Sequence, residues 1–322
     1  MSIQSRIKTK GIRPGVFILS KIWYYYNDDI MNDTSYNNLD YMRPVKISEG
    51  IYWVGSYDIN TSLHCNPYII IEGDEAVVID GGSRLDFPTV MMKILQTGLD
   101  PSSIKALIYQ HYDPDECSGI PNFEDIINRK DLKLISDRIN NIFIKHYYVS
   151  SPLHSLEDVN YSFTFSSGRK LKFVKTPHAH SAGSFVTLDT KTGVLFTSDL
   201  FGNYAAEWNL FLKLDPECST CLDYTSCPIS RSYCPLEDIL KFHKNIMPSE
   251  RILRWSLEQI AKLPFSVIAP QHGSVIYRPQ DIVLVCEKLV SLKGVGIDGI
   301  SENRSYSEFG DIAHLKKRLA IQ

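Results

Sequence analysis

The decisive stretch of the chain is HYDPDECSG, residues 111–119. It follows the apolar run 106–109, whose composition predicts a buried β-strand that ends just before His111. Side chains at alternate positions face the same side, so His111, Asp113 and Asp115 are expected to point toward one pocket. Imidazole and carboxylate groups are common metal ligands. Taken alone, the stretch fits a solvated acidic loop equally well, and the metal interpretation depends on the rest of the chain.

Three further segments place a metal-binding residue directly after an apolar, β-like run. They are TPHAHSAGS with His180, LFTSDLFG with Asp199 and APQHG with His272. Ligands of α/β sheets gather at strand ends, so these segments are expected to converge on the same pocket. Three histidines and three aspartates in such positions are improbable by chance. The predicted metal ligands are His111, Asp113, Asp115, His180, Asp199 and His272.

The order of the predicted elements indicates an α/β fold. Short β-rich runs occupy 51–54, 68–71 and 76–79, a helical pattern spans 87–97, and strands and helices continue to a strand at 267–269. The overall order of strands, helices, strands and helices predicts two sheet halves packed between helices.

One main domain with two flanking segments is the predicted organisation. Residues 1–45 lack clear periodicity and are expected to form an N-terminal extension, and residues 46–285 form the main domain. Within that domain, residues 215–235 are a cysteine-rich insertion, and residues 286–322 form a C-terminal tail. The tail is too short for a second doubly wound domain.

Composition and charge argue against two classes of partner. Lys and Arg (34) are outnumbered by Asp and Glu (37), and the net charge of −3 disfavours nucleic acid. No run of about 18 apolar residues occurs, so no membrane partner is expected. Seven cysteines, four of them in one loop, suit the reducing cytoplasm better than a secreted disulfide framework. The composition does not decide whether the chain forms a homo-oligomer.

Taken in order, HxDxD, HAHSAGS, SDLFG and PQHG resemble the metallo-β-lactamase superfamily. Within it, the chain is similar to the flavodiiron proteins. Because no flavodoxin-like phosphate loop is found, it looks most like their flavodoxin-less relatives, the oxygen-binding diiron proteins. The resemblance covers residues 46–285, including GIYWVG at 50–55 and the turn at Asp80. It implies an αββα sandwich, a centre of two iron ions with an oxo or hydroxo bridge, and no FMN on this chain.

The resemblance also distributes the predicted ligands over the two iron ions: His111, Asp113 and His180 on the first, Asp115 and His272 on the second, and Asp199 as the bridge. Hydrolytic members of the superfamily typically have a histidine where this chain has Asp113. The added carboxylate makes the site harder and more anionic, which favours iron over zinc. Three carboxylates and one bridging hydroxide would balance the charge of two ferrous ions, which lowers the cost of burying them.

Two positions depart from the flavodiiron pattern. Asp113 stands where those proteins usually carry Glu, and Glu116 stands where they often carry His. Glu116 is predicted either to ligate the second iron, to exchange protons beside it, or to cap the following turn. His178 would face the same side as His180 on an extended chain, so either a place beside the ligands or an ordinary surface position fits it.

A second cluster of metal-binding side chains follows Asp199. Its four thiols are Cys218, Cys221, Cys227 and Cys234. Four thiolates so close in sequence can hold structural zinc or an iron–sulfur centre, and the latter would serve as an electron relay. The spacing matches no specific iron–sulfur pattern, and unligated thiols are a third interpretation.

The leading functional prediction is a non-haem diiron oxidoreductase or sensor that binds dioxygen or nitric oxide. Its electrons would come from an external electron-transfer protein, because neither GxGxxG nor a flavodoxin-like loop occurs. The alternative is a dinuclear metallohydrolase, in which a metal-bridging hydroxide attacks an ester, thioester or phosphodiester. A catalytically silent interaction protein is disfavoured by the complete set of predicted ligands.

Overall fold

Seven strands form the larger of two β-sheets in the computed structural model, which describes residues 39–56, 64–204, 207–221 and 227–302. In order across this sheet they are β1 (Val45–Ser48), β2 (Ile51–Trp53), β3 (Tyr68–Glu72), β4 (Glu75–Ile79), β5 (Ile104–Ile108), β6 (Lys133–Ser136) and β7 (Leu153–Ser155). The pairs from β1 to β4 are antiparallel, and those from β4 to β7 are parallel. Gly73, with a φ of 61°, allows the two-residue turn between β3 and β4.

Five strands form the second sheet. In chain order they are β8 (Ser162–Thr164), β9 (Lys170–Lys175), β10 (Phe185–Asp189), β11 (Val194–Phe196) and β12 (Val267–Ala269). The order across the sheet is β12-β11-β10-β9-β8, in which only the pair of β11 with β12 is parallel. These two strands therefore end at the same edge of the sheet, just before the segments that carry Asp199 and His272.

Eight α-helices cover the outer faces of the two sheets or connect their strands in the described part of the chain. They are α1 (Phe87–Gln96), α2 (Pro114–Cys117), α3 (Ile120–Ile127), α4 (Arg138–Ile144), α5 (Pro235–Ile246), α6 (Glu250–Ile260), α7 (Pro279–Ser291) and α8 (Ile297–Glu302). Local sequence sets several of their ends. The Ser249 hydroxyl accepts the backbone N–H of Ile252 at 3.3 Å and so caps α6, and proline in the first turn begins α1, α5 and α7.

The core lies in three layers. Tyr68 of the first sheet packs against Phe196 of the second, Trp53 belongs to the same cluster, and all three are fully buried. One outer layer joins the first sheet to α1, α3 and α4, and the other joins the second sheet to α5, α6 and α7. Burying each large apolar side chain contributes roughly 1.5–3 kcal/mol to folding. The layers of helices, sheet, sheet and helices confirm the predicted αββα sandwich.

Most of the predicted elements are present, with a few differences in length. Residues 138–147, which the sequence pattern also predicts to be helical, form α4 to Ile144 and then a 3₁₀ helix, Lys145–Tyr147. Strand β7 was not predicted, because its sequence, Leu-His-Ser, contains no apolar run. No helix formed by the described residues is long and apolar enough to cross a bilayer. Residues 1–38 and 303–322 lie outside the described residues, so the division into domain and flanking segments stays a prediction.

Candidate metal centre

Gln110 fastens the end of β5 to the opposite sheet. Its side-chain Nε2 donates to the carbonyl oxygens of Phe185 at 3.1 Å and Phe196 at 2.9 Å. Its Oε1 accepts the backbone N–H of Ser198 at 3.2 Å. Because Gln110 is buried and both ends of its amide are paired, the neighbouring His111 is held in a fixed relation to the second sheet.

The first group of candidate ligands consists of His111, His180 and Asp199, whose ligand atoms lie within 4.8 Å of one another. His180 Nε2 is 2.9 Å from Asp199 Oδ2, and His111 Nε2 is 3.8 Å from Asp199 Oδ1. Asp113 Oδ2 lies 3.5 Å from His180 Nε2 and 3.7 Å from His111 Nε2. The three residues predicted for the first metal ion therefore face one point beside Asp199.

A second group of ligand atoms surrounds His272. Its Nε2 is 3.2 Å from Asp115 Oδ2 and 3.7 Å from Asp199 Oδ1. The sulfur of Cys65 joins Asp115 and His272 in a group whose ligand atoms lie within 4.8 Å of one another. Asp199 thus lies next to both groups, as a bridging residue must, and Cys65 is an addition to the predicted set.

The residues present fit a pair of metal ions. Asp199 is 3% exposed, and its Oδ1 has no hydrogen-bond partner among the described residues. A buried carboxylate oxygen without a partner is costly, and a metal ion would remove that cost. Imidazole and carboxylate donors on both sides of this oxygen are the ligand types that iron, manganese and zinc take in proteins.

The electrostatics of the pocket favour cations. Burial by itself would raise the pKa of Asp199, but the imidazoles of His111 and His272 outweigh it and lower that pKa. Burial would likewise lower the pKa of both histidines, yet their pKa values are raised well above the usual range. The main opposing cause is Glu116 for His111 and Asp199 for His272. The negative potential that holds protons on these imidazoles would equally attract metal ions.

Glu116 is fully buried on α2 and faces His111 from behind. Its Oε2 lies 2.7 Å from His111 Nδ1, and the Ser198 hydroxyl is 3.0 Å from the same nitrogen. Both contacts leave His111 Nε2 directed toward Asp199. No side-chain hydrogen bond caps the start of α3, so the predicted capping role has no contact behind it in the described residues. A carboxylate oxygen of Glu116 also lies within 4.8 Å of ligand atoms of Asp199 and His272.

His178 is exposed and does not line the cavity beside His180. The prediction assumed an extended chain, but the chain turns here. His178 has a φ of 65°, and its backbone N–H donates to the carbonyl oxygen of Ser181 at 2.8 Å. The turn therefore directs the two histidine side chains apart.

An open cavity of about 570 Å³ gives access to the candidate ligands. Of the predicted ligands, Asp113, Asp115, His180, Asp199 and His272 line it directly, and His111 lies behind them. The rest of the lining is formed by Ser83, Arg84, Leu85, Pro114, Ser118, Tyr204 and Ile246.

The four cysteines predicted as a second metal site do not form a compact group. Cys218 and Cys221 are buried, and Cys227 and Cys234 are partly exposed. Among the described residues, no three of these thiols lie within 4.8 Å of one another, and residues 222–226 of the loop are outside the described part. Metal binding by the loop stays a prediction.

Asn66, like Gln110 and Cys65, is not among the residues predicted from the sequence. Its side-chain Nδ2 donates to the carbonyl oxygens of Pro270 at 3.0 Å and Gly273 at 2.8 Å, and its Oδ1 accepts the indole N–H of Trp53 at 2.9 Å. It therefore holds the loop that carries His272. The available signal was its position: a polar residue two positions before the buried strand β3.

Comparisons with known proteins agree with this fold. The family model described as ODP family beta lactamase matches residues 63–273. The anaerobic nitric oxide reductase flavorubredoxin of Aeromonas salmonicida is 23% identical over 257 residues, which are 74% of this chain and 46% of that protein. The chain spans about a third to about a half of the length of such curated relatives.

Two solved structures show the same fold. Rubredoxin oxygen:oxidoreductase from Desulfovibrio gigas has a TM-score of 0.63 at 20% identity, over 77% of this chain and 61% of that one. A structure of the peroxy diiron species of chemotaxis sensor ODP has a TM-score of 0.62 at 21% identity, over 81% of this chain and 99% of that one.

Proposed function

The chain belongs to the ODP beta-lactamase family, and from this premise we propose that it is a non-haem diiron protein that binds dioxygen or nitric oxide and reduces or senses it. The observation that carries the proposal is the convergence of two ligand groups on the buried carboxylate of Asp199. The relatives named above support it, since they include a nitric oxide reductase, an oxygen:oxidoreductase and a diiron chemotaxis sensor.

The proposed ligands are divided between two iron ions: His111, Asp113 and His180 for the first, Asp115 and His272 for the second, and Asp199 for both. Three carboxylates in so small a volume favour iron over zinc. When bound, two iron ions supply a pair of redox centres at which a diatomic ligand can be held and reduced.

Buried groups on the far side of each ring orient the imidazoles. The Ser198 hydroxyl is hydrogen-bonded to His111 Nδ1 at 3.0 Å with the Glu116 carboxylate beside it, and the carbonyl oxygen of His64 is 3.3 Å from His272 Nδ1. An acceptor at Nδ1 fixes the proton there and leaves the Nε2 lone pair free for a metal ion. The chain would thus present both rings to the metals in the required orientation.

The cavity admits a small ligand from solvent but does not select one by size. Its volume of about 570 Å³ greatly exceeds that of a diatomic molecule. The proposal of a diatomic ligand therefore depends on the predicted metal ligands and not on the size of the cavity. Leu85, Tyr204 and Ile246 contribute apolar surface beside the predicted metal ligands, which suits an uncharged ligand.

The electron supply and the location are proposed from the sequence. The sequence carries no phosphate loop of the flavodoxin type, so we propose that FMN is not bound by this chain and that a separate electron-transfer protein reduces the irons. The cytoplasm is proposed from the cysteine content, as predicted above. Self-association into a homo-oligomer is also proposed, and the protein's size in solution would test it.

The deciding experiment is metal analysis with Mössbauer spectroscopy on protein prepared without oxygen, before and after exposure to oxygen or nitric oxide. We expect two irons per molecule in the wild-type protein and loss of both in Asp199→Ala. Asp125→Asn, an exposed control on α3, should retain the wild-type iron content. Two zinc ions, no iron and no spectral response to either gas would overturn the proposal. Metal-dependent hydrolysis of esters, thioesters or phosphodiesters without oxygen would instead support the hydrolase alternative.

A further inference from the structure

Cys65 lies at the second metal position although no family motif includes it. Its backbone forms an isolated antiparallel bridge with His272, and the adjacent Asn66 N–H donates to the carbonyl oxygen of Gln271 at 2.8 Å. The residue is 6% exposed. Its sulfur, an oxygen of Asp115 and a nitrogen of His272 all lie within 4.8 Å of one another, which is close enough for all three to reach one metal ion.

The position of the thiol is fixed by its neighbour on the chain. The Asn66 side chain bonds the carbonyl oxygens of Pro270 and Gly273 on either side of His272, and it also accepts the indole N–H of Trp53. These three hydrogen bonds are buried. The segment with Cys65 and the segment with His272 are therefore held together as one rigid unit, as a preformed ligand set requires.

The family pattern leaves the second position with fewer ligands than the first. Besides the shared Asp199, it supplies two imidazoles and one carboxylate to the first ion, but one imidazole and one carboxylate to the second. The buried Asp199 Oδ1, without a hydrogen-bond partner in the described residues, points to a cation at this place independently of the thiol. On the basis of the proposed function, we propose that the Cys65 sulfur is a third protein ligand of the second metal ion, besides the bridging Asp199.

Glu116 is the other residue that could fill this place. Its carboxylate, however, already lies 2.7 Å from His111 Nδ1, on the far side of a ring that belongs to the first ion. Moving it to the second ion would take that charge away from His111, whereas the Cys65 sulfur already lies within 4.8 Å of the ligand atoms of Asp115 and His272. The thiol binds as thiolate and releases its proton to solvent, and its soft sulfur makes the two metal positions chemically unequal.

Cobalt(II) is a suitable probe, because cobalt–thiolate bonds produce intense near-ultraviolet charge-transfer absorption that imidazole and carboxylate ligands do not. The full-length protein is titrated without oxygen as wild type, Cys65→Ser and Cys286→Ser, the last being a control thiol on α7. Thiols of the cysteine-rich loop contribute equally to all three and cancel in the differences. We expect Cys65→Ser to lose part of the band and to bind the second ion roughly 10- to 100-fold more weakly. Cys286→Ser should match wild type.

Cys65→Asp keeps the test valid if Cys65→Ser fails to fold, because it replaces the sulfur with a carboxylate that can also bind a metal ion. It should hold the second ion more tightly than Cys65→Ser and still lack the sulfur absorption. An unchanged band and unchanged affinity in Cys65→Ser or Cys65→Asp would overturn the inference. If His180→Ala also keeps its full cobalt content, the proposed function itself fails; if His180→Ala loses cobalt while Cys65→Ser does not change, only the thiol ligand is refuted.

Discussion

The metal pocket and the cysteine-rich loop differ in what holds their metal-binding side chains in place. Pocket residues come from segments far apart in the chain, yet Gln110 and Asn66 fasten those segments to each other through buried hydrogen bonds. The thiols of the loop are neighbours in sequence, but no three of them meet among the described residues. The metal-binding side chains of the pocket are therefore brought together by strand ends and buried amide hydrogen bonds. Closeness in sequence alone does not bring the thiols of the loop together.

The largest predicted effect concerns the buried histidine His243. It lies on α5, its Nε2 accepts the backbone N–H of Phe201 at 3.0 Å, and its Nδ1 lies 2.7 Å from the carbonyl oxygen of Ile239. It thus supports the loop that follows Asp199. Burial, the largest cause, lowers the pKa of His243 to about 4, from an ordinary value of 6.5.

The sign of the pH effect follows from that lowered pKa. The unfolded chain takes up a proton at higher pH than the folded chain, so stability is complete above about pH 6.5 and falls as the pH drops toward 4. In metal-free protein, lowering the pH from about 6.5 to about 4 should decrease the free energy of unfolding of both proteins. We expect the decrease to be larger in wild type than in His243→Gln by on the order of 3 kcal/mol. Urea unfolding at several pH values measures it, with the exposed His146→Gln as control. Parallel pH profiles for wild type and His243→Gln would contradict the assigned role.

The next prediction concerns Glu116→Gln, a change directly beside the predicted metal ligand His111. The amide has the same shape but no charge, so it holds the proton on His111 Nδ1 less strongly and makes the ring a poorer donor. Loss of such a neighbour typically weakens metal binding by roughly 10- to 100-fold. Competition with a chelator measures the change, and Glu258→Gln on the exposed face of α6 is the matched control. Equal affinities for all three proteins would mean that Glu116 does not support His111.

What depends on local pattern could be predicted from the sequence. The αββα order follows from periodicity, and the candidate ligands, whose metal binding stays a prediction, follow from motifs placed directly after apolar runs. The contacts of Cys65 and Asn66 could not be found this way, because their partners are distant: Asn66 and Gly273 are separated by 207 positions. For His178, the structure shows a turn rather than an extended chain, and of the two predicted alternatives the surface position is the one observed.

The smallest effect is expected in the cysteine-rich loop, for Cys227→Ser. The Cys227 sulfur is partly exposed and accepts backbone N–H groups of Arg231 and Ile229, which a serine oxygen can also accept. The free energy of unfolding should change by less than about 0.5 kcal/mol, whereas the fully buried Cys117→Ser should cost about 1–3 kcal/mol. Urea unfolding with metal analysis compares the two. A larger loss for Cys227→Ser, accompanied by release of zinc or iron, would show that the loop holds a metal of its own, and the contrast with the pocket would disappear.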